Sequence, residues 1–198
     1  VDALTNDFVE VYVHQEAKKG NQISGDMYYL HAADDYFICA IADGLGNGPI
    51  ARLSAEVIPK MLERHHHETV DELLLRCNEQ MSGKRGAAVA IVKMYYQEKK
   101  VEYSCVGNVR FYMMQQQGTM VYPLPVMGYL SGRKQNLKKQ TFNYSEGSRF
   151  VLHSDGVALK SPKAAFMQTA STYELFENVR RSAKQDDDST FIVGSLLQ

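Results

Sequence analysis

Two hydrophobic rhythms alternate along this chain. Val9, Val11 and Val13 recur at every second position, which predicts a half-buried strand over residues 8–14. A short aromatic-rich run follows at 27–31, then a turn at Asp34-Asp35. Residues 36–42 are almost all apolar, as in a strand covered on both faces. After a glycine-rich loop the rhythm becomes helical. Leu53, Val57, Ile58, Met61 and Leu62 share one face, and Pro59 is expected to kink that helix. Thr69 and Glu72 have capping-box spacing and open a second helix through Leu73, Leu74, Cys77 and Met81.

From Gly86 the strand rhythm returns. Residues 87–94, 101–106, 109–114, 119–124, 137–144 and 149–154 read as strands separated by turn residues. A helix is expected near 162–169, and Ser171 with Glu174 opens another toward Ala183. A last strand spans 190–197. Strands, a helix pair, many strands, a helix pair and a strand pack economically in one way. The expected fold is α+β, a four-layer αββα sandwich of two antiparallel sheets with helix pairs on the outer faces. No linker or repeat divides the chain, so residues 1–198 are read as a single domain.

Composition narrows the functions. Lys plus Arg is 22 and Asp plus Glu is 23, a net charge of -1 without the basic footprint of a nucleic-acid binder. No apolar run approaches the roughly 20 residues of a membrane helix, so no membrane partner is expected. Cys39, Cys77 and Cys105 lack C-x-x-C spacing and sit among apolar neighbours. They read as buried free thiols of a cytoplasmic protein, and the N-terminus shows no signal-peptide pattern. The chain is expected to work as a monomer.

Four aspartates stand where predicted strands begin or end: Asp26, Asp43, Asp155 and Asp187. Antiparallel strands lay the end of one beside the start of the next, so these carboxylates can gather at one sheet edge. Clustered carboxylates need a cation, and all-oxygen ligation suits magnesium or manganese. Two such ions about 3.5–4 Å apart generate a nucleophile for in-line attack on phosphorus.

The motifs that hold these aspartates are Ser24-Gly25-Asp26, Ala42-Asp43-Gly44-Leu45-Gly46, Val106-Gly107-Asn108, His153-Ser154-Asp155-Gly156 and Asp187-Asp188-Ser189-Thr190. In this order they resemble those of PPM-type (type 2C) metal-dependent Ser/Thr phosphatases. The resemblance implies two Mn2+ or Mg2+ ions bridged by Asp43, with the Gly44 carbonyl on one of them. It implies Asp155 and Asp187 on the other ion, and Asp26 acting through water. It also implies direct hydrolysis of phosphoserine or phosphothreonine, with no phosphoenzyme. Lys84-Arg85-Gly86-Ala87, Cys105 to Phe111 and Tyr122-Pro123-Leu124-Pro125 with residues 128–132 resemble the family's bacterial stressosome phosphatases. Those imply phosphorylated STAS-domain partners and negative control of a general stress sigma factor.

Two positions depart from the family pattern. Leu45 stands where many relatives have a histidine that protonates the leaving group, and Asn108 where many have a third-metal aspartate. No N-terminal phosphate-binding arginine is evident; Lys18, Lys19 and Arg110 are candidates. A pseudo-phosphatase that binds without turnover is therefore an alternative. So is a dinucleotide site, because residues 46–51 fit G-x-G-x-x-A. His65, His66 and His67 point apart on a helix and are expected to end it in solvent. Residues 122–129 read as an irregular loop, either covering a sheet edge or docking a partner.

Overall fold

A computed structural model describes residues 2–198. One antiparallel sheet has six strands in the order β1 (Asp2–Thr5), β2 (Val9–Glu16), β11 (Ser189–Leu196), β10 (Arg149–His153), β7 (Arg110–Met114), β8 (Met120–Val121). The other has five: β3 (Asp26–Ala32), β4 (Tyr36–Gly44), β5 (Ala87–Tyr95), β6 (Lys100–Val106), β9 (Gln140–Asn143).

Alternation along the strands separates three cores. Val9, Val11 and Val13 of β2 meet Phe37, Cys39 and Ile41 of β4 between the sheets, with Phe111, Phe150 and Ile192. The opposite face of β4 (Ile38, Ala40, Ala42) packs under α1 (Gly48–Ala55), α2 (Val57–His65) and α3 (Val70–Glu79). Val151, Phe191 and Val193 pack under α4 (Pro162–Met167) and α5 (Thr172–Arg180). Strand β4 thus has both faces covered, as its unbroken apolar run requires. The result is the expected four-layer sandwich. No helix among the described residues is long and apolar enough to cross a membrane.

The departures are local. The helix expected to kink at Pro59 is two helices, broken at Glu56. Pro59 has no N–H to offer the Ala55 carbonyl, so the break falls one turn earlier and proline occupies the first turn of α2. Three helices, not a pair, therefore cover that sheet. The capping box of α3 forms, with the Glu72 carboxylate accepting from the Thr69 N–H at 3.0 Å. Strand β1, which the pattern did not reveal, pairs with β2 on the sheet edge. Strand β8 is only two residues long, and residues 122–129 leave the ladder. His66 is not in solvent: its Nδ1 meets the Tyr36 hydroxyl at 2.6 Å and its ring lies 4.0 Å from that of His31. The dinucleotide reading falls, because β4 is antiparallel to both neighbours and no parallel crossover unit follows the glycine loop.

Candidate active site

The same end of both sheets carries the start of β3, the end of β4, the end of β10 and the start of β11. Asp26 and Asp43 are direct cross-strand partners, so their side chains leave the β3–β4 ladder on one face. That face is the inner one, shared with Cys39 and Ile41, and it opens at the sheet end toward Asp155 and Asp187. Asp43 and Asp155 lie close enough to repel each other. The structure thus brings all four aspartates to one cup.

Each is held differently. Asp26 is buried, and its Oδ2 accepts from the Ser154 hydroxyl at 2.8 Å; the Thr190 N–H in turn donates to Ser154 Oγ at 3.0 Å. This chain of bonds ties the two sheets together across the cup. Gln15 Nε2 adds a bond to the Asp26 carbonyl at 3.0 Å. Asp155 is exposed, accepts from Asn108 Nδ2 at 2.6 Å, and has its own carbonyl bonded by Lys184 Nζ at 2.7 Å. Asp188 is committed elsewhere: its two oxygens accept the N–H groups of Lys18 (2.9 Å) and Gly25 (2.8 Å). It clamps the loops before β3 to the start of β11, which leaves Asp187 as the member of the pair free of such bonds to other segments. Asp186 is exposed.

The electrostatics are adverse. Burial first, then repulsion from Asp26 and Asp155, pushes Asp43 far above the carboxylate range. Burial also raises Asp26, against the opposing hydrogen bonds from Ser154 and Thr190. Asp187 is raised by burial and by Asp155. Among the described residues, none of the four forms an ion pair with a lysine, arginine or histidine. A hard divalent cation would supply the compensation that the protein withholds, and an all-oxygen donor set is what such a cation takes. Among the described residues no three such side chains group tightly enough to hold an ion alone, so an ion bound here would keep several of its waters, as magnesium does.

Gly44 and Gly156 follow the aspartates in two Asp-Gly pairs and sit where other backbones come close. Neither has a positive φ. A Cβ on Gly44 would lie 2.0 Å from the Ala51 carbonyl oxygen, and one on Gly156 would lie 1.8 Å from that of Asp188. Close backbone approach, not turn geometry, demands glycine there. Leu45 is exposed on the rim beside Gly86 and Tyr129. Lys18 Nζ bonds the Asn47 side chain at 3.1 Å, and Arg110 bonds the Tyr122 hydroxyl at 2.7 Å, so both basic candidates stand at the rim. The backbone of Lys19 bonds Gln185, beside the same cup. Ser154 and Lys184 belong to the site although no candidate role in the sequence pointed to them. Ser154 sits inside a quoted motif and could have been found there, whereas Lys184 reaches Asp155 only through the fold.

The fold and this carboxylate cup define a phosphatase of the PP2C type. The model of the stage II sporulation protein E (SpoIIE) family matches residues 33–196, and the chain belongs to that family. It is 36% identical over 192 residues to the phosphoserine phosphatase RsbX of Bacillus subtilis (strain 168), covering 96% of each chain. A crystal structure of RsbX in complex with magnesium superposes with a TM-score of 0.95 at 36% identity, covering 98% of both chains. A chain from a structure of the bacterial stressosome, described as a modular system adapted to control secondary messenger signalling, gives a TM-score of 0.85. Its identity is 26%, over 94% of this chain and 98% of that one.

Proposed function

We propose that the protein removes phosphate from phosphoserine or phosphothreonine on STAS-domain stressosome proteins, and so restrains a general stress sigma factor. The observation that carries the catalytic part is the cup itself, where four aspartates that form no ion pair gather at one end of the two sheets. Asp43, with the Gly44 carbonyl, and Asp155 with Asp187 would hold two Mn2+ or Mg2+ ions, and Asp26 would act on them through water. Such ions supply Lewis acidity toward the phosphoryl oxygens and an acidified water for in-line attack.

The chain's own residues do the rest. Ser154 and Thr190 fix the Asp26 carboxylate so that it can orient water without swinging into the cup. Asn108 and Lys184 hold Asp155 from two sides, one on the carboxylate and one on its carbonyl. Leu45 cannot donate a proton, so protonation of the leaving alkoxide falls to water in the cup. Lys18 and Arg110, at the rim, are placed to attract the phosphate dianion. The similarity to RsbX and to the stressosome chain supports the choice of partner. The three buried free thiols suit a reducing, cytoplasmic setting.

The test is turnover of p-nitrophenyl phosphate and of a phosphorylated STAS domain, with manganese, with magnesium and with excess chelator. Activity that vanishes on chelation and returns with either ion is the expected result. Full turnover in chelator would overturn the metal reading. Tight binding of the phospho-domain without any turnover would favour the pseudo-phosphatase, for which Leu45 and Asn108 speak.

A further inference from the structure

Immediately beside the acidic cup the surface becomes apolar. A groove of about 610 Å³ runs between Leu45, at the end of β4, and Leu124, Met127 and Tyr129, with Ala88 and Gly107 lining it. Its near end is Asn108, whose side chain is bonded to Asp155. Groove and cup are therefore continuous. Leu124 is 68% and Met127 91% exposed, a high cost in water for side chains of this size.

These side chains are not on a slack loop. Between β8 and β9 the backbone is tied to the neighbouring strands at several points. The Gly107 N–H donates to the Val126 carbonyl at 2.8 Å, and the Val126 N–H to that of Cys105 at 2.9 Å. Ala87 and Leu130 exchange bonds at 3.1 and 2.9 Å, and Gln135 Nε2 holds the Tyr129 carbonyl at 2.9 Å. A fixed backbone that presents exposed apolar side chains loses little freedom on binding. The one charged residue on the groove, Arg110, already bonds the Tyr122 hydroxyl, so the groove has little charge to offer an acidic or basic segment.

We propose that Leu45 and residues 122–130 form a docking surface for the folded domain that carries the phosphate. That domain would present apolar side chains beside its phosphorylated hydroxyl. The inference rests on the phosphatase reading, because it needs the phosphate to lie in the cup while its carrier covers the groove. A short phosphopeptide would have little surface with which to cover Leu124 and Met127 together. A folded surface can cover both and hold the phosphate in line.

The experiment uses the full chain as wild type, as Leu124→Asp/Met127→Asp, and as a control with Leu75→Asp, an exposed apolar site on α3. For each, kcat/KM is measured on a phosphorylated STAS domain, on the phosphopeptide of the same site and on p-nitrophenyl phosphate. The affinity of the phospho-domain is measured by calorimetry in the Asp43→Asn background. The groove variant should lower the domain-to-small-ester ratio of kcat/KM by about tenfold or more, through KM, and weaken binding by a similar factor. The control should leave the ratio unchanged. A parallel loss on both substrates, or an unchanged ratio and affinity, would overturn the proposal. So would a wild-type enzyme that acts equally fast on peptide and domain. If wild type turns over nothing yet binding still falls with the groove variant, the docking surface stands and the phosphatase reading fails.

Discussion

Strands β4 and β5 carry two charged groups near opposite ends of one ladder, Lys93 buried and Asp43 half-buried, and the protein treats them in opposite ways. Lys93, opposite Ile38, is 1% exposed, but its ammonium donates to the carbonyls of His66 and Glu68 at 2.9 Å each and lies 3.9 Å from the centre of the Tyr36 ring. Burial lowers its pKa, while Glu102 on β6 pulls the other way. Both hydrogen bonds there serve the junction between α2 and α3. Asp43, opposite Ala88, has carboxylates for neighbours and no cationic partner. A satisfied buried charge is architecture. An unsatisfied one, kept at the mouth of a cup, marks the place where a ligand completes the structure.

The sharpest way to break this contrast is Asp43→Asn. Activity should fall on the order of 10²–10³-fold in saturating manganese, while the chelated protein gains about 1 kcal/mol or more of stability. The sign follows from linkage. The folded-state pKa values of Asp43 and Asp26 lie above the unfolded carboxylate value near 4, so the folded state holds more protons as pH rises from there. Stability of the chelated wild type should therefore drop from about pH 4 through neutrality, and less steeply in the variant. Denaturant titration in chelator checks both points. A variant less stable than wild type would show that the burial and crowding of its charge are not what govern Asp43.

Lys93→Met should give the mirror image. Two carbonyls lose their donor, so stability should fall by about 2–4 kcal/mol and Tm by roughly 5–15 °C. The kcat/KM of the folded fraction should stay within about twofold, since nothing links Lys93 to the cup. A selective loss of kcat would tie the two ends together and dissolve the comparison.

Within the cup, Asp187 and Asp188 repeat the contrast at smaller scale. Asp187→Asn should weaken manganese activation by about 10–100-fold with stability unchanged. Asp188→Asn breaks a clamp on Lys18 and Gly25 and should lower stability by about 1–2 kcal/mol, with a smaller shift in metal affinity. Metal titrations of activity alongside thermal melts separate them. A larger metal defect at Asp188 would reverse their roles.

The smallest effect is expected from Leu45→His. Turnover of phenyl phosphate, whose leaving group needs a proton, should rise by about 2–5-fold, with a new limb on the alkaline side of the pH profile where the imidazole loses that proton. An unchanged profile would mean that the rim does not point an imidazole at the leaving group.

The strands were legible because each carries either an alternation, as β2 does, or a nearly unbroken apolar run, as β4 and β5 do. Strand β1 was not, since Asp2–Thr5 has no pattern of its own and pairs only because β2 offers a free edge. The helix break fell at Glu56 rather than Pro59 because proline disrupts the bond of the preceding turn. The four aspartates were legible as strand-end residues within ordered motifs. Their meeting was an inference until the Asp26–Asp43 register and the Ser154 bridge put them at one opening.

By itself the sequence determined the periodicities, the breakers and the chemical types: two sheets with helices outside, oxygen ligands, a missing histidine at Leu45. These are local properties, fixed by which side chains can share a face. The tertiary structure alone decided that Asp188 clamps loops while Asp187 stays free of them, and that Gly44 and Gly156 are glycines because other backbones crowd them. It alone showed that residues 122–130 are pinned as an apolar wall beside the cup. Each of these depends on contacts between segments far apart in the chain, up to 170 residues for Lys18 and Asp188. No local pattern records such distances, because they are set only when the two sheets close on their common core.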